Sequence, residues 1–156
     1  MSKWPMQNNA DSFYGNPRGI NGKGSPSWAK ENLKTIIPPF AMTFDGHPVK
    51  KITMHKKCSA SLSRVLSQIW SSANREQSQI DGWGASIFGG SFNYRLKKSG
   101  STLSMHAYGC AIDLDPVNHP FGKSGNPFVS QVVEAFTAEG WVNLAHDQMH
   151  FQAALI

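Results

Sequence analysis

Residues 62–73 carry the clearest periodic signal in the chain. Leu62, Val65, Leu66, Ile69, Trp70 and Ala73 fall at i, i+3, i+4, i+7, i+8 and i+11, one apolar face of a 3.6-residue repeat. Ser59 or Ser61 is placed to cap the N-terminus of this helix. The other signals are shorter. Residues 42–44 and 51–54 read as strands around Asp45-Gly46-His47-Pro48, a hairpin signal. Residues 80–90 are rich in glycine and aromatic residues and lead into a strand expected near residues 91–96. Ala111 to Leu114 is a short apolar strand signal. Asn126 and Pro127 read as the N-cap and first position of a second helix. In it Val129, Val132, Val133 and Phe136 recur at helical spacing, and Gly140 takes the left-handed C-terminal position. Residues 141–144 and 150–154 read as a closing pair of strands. Strands and helices mix without βαβ alternation. The expected fold is therefore α+β, a small, mostly antiparallel sheet with helices packed on one side.

At 156 residues the chain is long enough for one domain that needs no disulfide or metal merely to fold. Residues 1–40 are dense in Gly, Pro, Asn and Ser and are broken by Trp4, Phe13, Tyr14 and Trp28. Those aromatics point to an arm packed on a domain of residues 41–156. No apolar run approaches the roughly 18 residues of a membrane span, and residues 1–9 lack the apolar stretch of a secretory signal. The expectation is synthesis in the cytoplasm and no stable membrane association. Cys58 and Cys110 form no CxxC pair and read as free thiols. The net charge of +5 favours an anionic partner, but no recognition helix or basic stripe supports nucleic acid, so none is expected. Lys56-Lys57 and Lys97-Lys98 read as solvated faces, and residues 97–100 as a loop.

The chemistry concentrates in two places. His106 precedes Asp113 by seven residues, with Gly109 and small residues between them. Asp113 interrupts an apolar strand signal, where an unpaired carboxylate costs several kcal/mol. That makes it a candidate metal ligand. Near the end, Asp147 and His150 stand three residues apart. If His150 joins His106 and Asp113, two imidazoles and a carboxylate suit Zn2+ with an open fourth position for water. Asp147 then stands beside that water as general base, or instead orients a ligand histidine. His146 and the Asp115–His119 turn are left out of the site, and Cys110 reads as a small buried residue.

Ser104, His106, Gly109, Ala111 and Asp113 complete the pattern SxHxxGxAxD, and Asp147 with His150 supplies a carboxylate, two residues and a histidine. Over residues 88–154 the chain thereby resembles the M15 metallopeptidases, zinc D-Ala-D-Ala carboxypeptidases and dipeptidases and phage L-alanyl-D-glutamate endolysins. The resemblance implies His106, Asp113 and His150 as zinc ligands and Asp147 as catalytic base. Arg95 matches an arginine that the family carries upstream of the motif, and near the metal it would hold a substrate carbonyl or developing oxyanion. Ser104 either binds substrate or fixes the backbone before His106. Tyr108 either lines the cleft or packs. Both are carried as substrate-binding candidates.

The implied substrate is the stem peptide of peptidoglycan. Aspartate as base, with His-Phe-Gln following, is closer to the L-alanyl-D-glutamate branch. The expectation is a monomeric phage-type endolysin released onto the wall during lysis. The alternatives are a D-Ala-D-Ala carboxypeptidase or dipeptidase, and a non-catalytic wall-binding or virion component on the same fold.

Overall fold

The computed structural model describes residues 3–97, 100 and 102–156. Met1, Ser2 and Lys98 therefore lie outside the described residues, and with Lys98 part of the 97–100 loop. The fold is α+β. Its centre is an antiparallel four-stranded sheet in the order β5 (Phe88–Gly90), β6 (Ala111–Leu114), β8 (Asp147–Gln152) and β7 (Val142–Leu144).

Side chains alternate across a strand, so each strand of this sheet serves two faces. Ile112 pairs with Phe151 across β6 and β8. Both are fully buried, as is Leu114. The ring of Phe151 stacks at 4.0 Å on Phe136 of α5 (Ser130–Ala138). This face meets the helices. Helix α3 (Ser59–Ser72) packs against α5 and buries Leu62, Val65, Leu66 and Ile69 completely. Each such side chain contributes about 1.5–3 kcal/mol on leaving water. The adjacent pair Asp113 and His150 has the opposite parity and lies on the other face.

Several expected boundaries shift for local reasons. Helix α3 is preceded by Cys58 at the N-cap position, with no side-chain cap. Ser59 instead donates to the Lys56 carbonyl. Ser61 accepts from the Trp141 indole and donates to Glu139. The expected strand near residues 91–96 ends earlier, as β5, and only Leu96 makes an isolated bridge, to Leu103. A short helix without a sequence signal, α4 (Gln77–Gly82), runs into the glycine-rich stretch of residues 80–90. Helix α5 begins at Ser130 rather than beside Pro127. Asn126 is engaged elsewhere, its side chain donating to Asn118 O and its carbonyl bound to His119 Nδ1. Gly140 takes its left-handed place, with φ +81°.

The Asp45-Gly46 turn joins β2 (Thr43–Phe44) to β3 (His47–Pro48), so the hairpin is shorter than expected. The strand that follows, β4 (Ile52–His55), pairs instead with β1 (Leu33–Ile36). Ahead of β1 lie α1 (Ala10–Tyr14) and α2 (Pro26–Asn32), which is capped by Ser25. Trp4, Tyr14 and Trp28 are buried, and the Tyr14 hydroxyl donates to Ala153 O at 2.6 Å. Lys56 and Lys57 are exposed yet bonded, to the carbonyls of Glu31 and Phe13. Both cysteines are free and buried, and burial raises the Cys58 thiol to about 12. No helix among the described residues is long and apolar enough to cross a membrane.

Candidate metal centre

The Ser104 hydroxyl accepts from the His106 N–H at 3.2 Å and opens a 3-10 turn over Met105–Tyr108. Gly109 ends the turn with φ +70°. A Cβ there would lie 2.8 Å from Leu33 Cδ2 and 2.9 Å from His55 N, so glycine is required for conformation and for space. The chain then enters β6, whose Asp113 lies directly opposite His150 on β8. Turn and ladder together bring three donors to one point. His106 Nε2 and His150 Nδ1 each stand 3.1 Å from Asp113 Oδ1, and 3.2 Å from one another.

The far nitrogens of both rings are already engaged. His106 Nδ1 lies 2.6 Å from the Ser91 carbonyl, which must accept, so the proton is on Nδ1 and Nε2 keeps its lone pair. His150 Nε2 lies 2.8 Å from Gln152 Oε1, and the amide nitrogen of Gln152 donates to Ala154 O and Gln7 Oε1. Oε1 is thus an acceptor, and the lone pair of neutral His150 is on Nδ1. Three lone-pair donors converge with no proton of their own to share. A tetrahedral zinc site with bonds of about 2.0–2.1 Å has donor separations of about 3.3 Å. The observed separations, the chemistry of the donors and their burial fit that ion.

Burial opposes charge on both Asp113 and His150. When His106 Nε2 and His150 Nδ1 take up protons, their hydrogen bonds nonetheless hold the Asp113 carboxyl well below its usual range. Asp113 in turn lifts the His150 imidazole above its ordinary value. Protons at this centre are therefore competitors of a cation.

Asp147 opens β8 after the two-residue turn at Ala145 and His146. A register shift between Asn143 and Leu144 marks a bulge opposite them. The Asp147 carboxylate lies 4.0 Å from His150 Nδ1, on the same side as the donors although the two are three residues apart. A cavity of about 230 Å3 opens over the group, lined among others by Arg95, Lys97, Ser104, Asp113, Asp147 and His150. Arg95 reaches it from the segment after β5, where its carbonyl accepts from Ser104 N at 3.0 Å. Ser104 thus both fixes the turn and borders the cleft.

Tyr108 is not brought to this cavity. It is buried, with its hydroxyl donating to Asp11, and it borders a separate depression with Arg18. His146 is exposed, and the Cys110 thiol donates to Met105 O. His119 stacks on Phe128 at 3.9 Å, outside the centre. Sequence reasoning missed Ser91 and Gln152, the two acceptors that orient the rings of His106 and His150. Gln152 was within reach, two residues past His150 on the same strand face. Nothing about Ser91 sets it apart, since it acts through its backbone.

Residues 97–153 match the family model described as D-alanyl-D-alanine carboxypeptidase, one of the M15 peptidases. The segment contains all three donors and Asp147. No curated protein and no solved structure matches the chain.

Proposed function

We propose that this chain, whose matched segment supports an M15-family peptidase, is a zinc-dependent hydrolase of peptidoglycan stem peptides. The observation that carries the metal reading is the convergence of three lone pairs at 3.1–3.2 Å, with both rings turned by acceptors behind them. His106, Asp113 and His150 would hold the ion. When bound, it supplies a Lewis acid that polarises a peptide carbonyl and makes water a nucleophile near neutral pH. Asp147, beside the donors, takes the proton of the attacking water and returns it to the departing amine. Arg95, on the cleft wall, holds a substrate carbonyl or carboxylate by charge-assisted hydrogen bonds.

Within this class we favour cleavage of the L-alanyl-D-glutamate bond, on the residues Asp147 to Gln152. The wall would then be reached during phage lysis by a chain made in the cytoplasm and acting as a monomer. A second reading, D-Ala-D-Ala carboxypeptidase, is favoured by the description of the matched family model. Mass spectrometry of fragments released from defined peptidoglycan separates the two. New D-glutamate amino termini support the first reading, and free D-alanine supports the second. Wall binding with no fragment released overturns both. Chelation is expected to abolish release, and added zinc to restore it.

A further inference from the structure

We infer that Gln152 is a positioning residue of the metal centre and that Gln7, from the N-terminal segment, holds Gln152 in the working orientation. The inference rests on the metal-binding reading above and assigns a part in it to Gln7, outside the matched segment.

Gln152 is 2% exposed and every polar atom of its side chain is engaged. It shares a strand face with His150, and its cross-strand partner Ala111 is small. Its Oε1 accepts from His150 Nε2 at 2.8 Å, which leaves the lone pair on Nδ1 pointing at Asp113 and His106. An amide has two faces. Turned by half a rotation, Gln152 would offer its NH2 group to Nε2. The imidazole proton would then move to Nδ1, where Asp113 Oδ1 is ready to accept it. That tautomer cannot bind a metal through Nδ1.

The choice between the two states is made behind Gln152. Its NH2 group donates to Ala154 O at 3.0 Å and to Gln7 Oε1 at 3.1 Å. After a flip, Oε1 would face the Ala154 carbonyl, which has no proton to give. Gln7 is itself fixed through its backbone. Its N–H donates to Leu155 O at 2.6 Å, while Leu155 N donates to Pro5 O at 2.7 Å. The Ala154 carbonyl thus selects the orientation of Gln152, and Gln7, from the N-terminal segment, adds a second acceptor behind a ligand that it does not touch.

The test uses the full chain and two readouts. Long-range proton–nitrogen NMR of the metal-free protein, at a pH where His150 is neutral, reports which ring nitrogen carries the proton. Competition with a chromogenic chelator reports zinc affinity. Gln152→Met keeps volume and removes the acceptor. It is expected to weaken zinc binding by about 10–100-fold and to move the His150 proton towards Nδ1. Gln152→Glu keeps an oxygen opposite Nε2 while losing the donor to Ala154, and is expected to return the proton to Nε2. Gln7→Leu, at a half-buried site, is expected to shift both in the same direction by a smaller factor. It carries the test if Gln152→Met fails to fold. Unchanged affinity and an unchanged proton position in the folded variants overturn the inference alone. A parent chain that takes up no zinc overturns the metal reading with it.

Discussion

Asp113 and His150 face one another across neighbouring antiparallel strands, and their ligating atoms meet at 3.1 Å. The backbone ladder therefore sets the distance between two of the three donors. Asp113→Ala removes the only carboxylate of the group. Zinc affinity is expected to fall by more than about 100-fold, beyond the 10–100-fold typical of losing an outer partner. Chelator competition measures this, with circular dichroism as the check on folding. A variant that holds zinc as tightly as the parent removes Asp113 from the donor set.

Asp147 has two separable roles. As the base, Asp147→Asn should leave zinc affinity within a few-fold of the parent while peptide release slows by about 10²–10⁴. As an orienter of His150, the same change should weaken zinc binding first. Measuring metal affinity and turnover on one preparation distinguishes them, and equal turnover in variant and parent excludes the base role.

Glu139 ties three parts of the molecule together. Its carboxylate accepts from Lys3, Ser61 and Arg64, and its carbonyl accepts from the Trp4 indole. The Arg64 hydrogen bond is the largest influence on its carboxyl, which is depressed from 4.5 to about 2. The folded value is the lower one, so the stabilisation is complete above about pH 4.5 and is lost as pH falls towards 2. The melting temperature of Glu139→Gln should therefore lie below the parent's at neutral pH, and the gap should close across that window. Added salt should narrow the gap, because Lys3 and Arg64 are half exposed. A gap independent of pH removes the charge from the explanation.

Gly109→Ala places a side chain in left-handed backbone at a cost of about 1–2 kcal/mol. It also drives a carbon into Leu33 and the His55 backbone. Thermal unfolding should shift down. Zinc affinity should fall too, because His106 stands on the turn that Gly109 closes. A variant that melts like the parent shows that the turn accommodates the methyl group.

The donor set was legible because metal chemistry restricts residue type. An aspartate inside Ala111-Ile112-Asp113-Leu114 has few stable fates, and the glycine that lets His106 approach it stands in the same stretch. The long helix was legible for an equally local reason, since its apolar face repeats within a few turns. The pairing of β1 with β4 was hidden, because Leu33–Ile36 is only partly buried and its partner lies beyond a hairpin. The start of α5 was misjudged because Asn126 found tertiary partners in place of the helix N-terminus. Asp147 sits on the donor side only through a bulge, and strict alternation along a strand does not foresee that.

The junction of the first and last segments also bears on how this molecule comes to be. Tyr14 reaches Ala153, Gln7 reaches Leu155, and Met6 forms a parallel bridge with Leu155. Such contacts close nearly the whole chain into a loop, and topologies rich in long-range closure fold slowly. The donors His106, Asp113 and His150 all lie within residues 97–153, yet the groups that aim their rings are Ser91 and Gln152, the latter backed by Gln7. Cut out alone, residues 97–153 would carry all three proposed ligands without the scaffold that turns them. Zinc uptake during refolding should then be a late event, a clock for the meeting of the two ends rather than for the formation of the sheet.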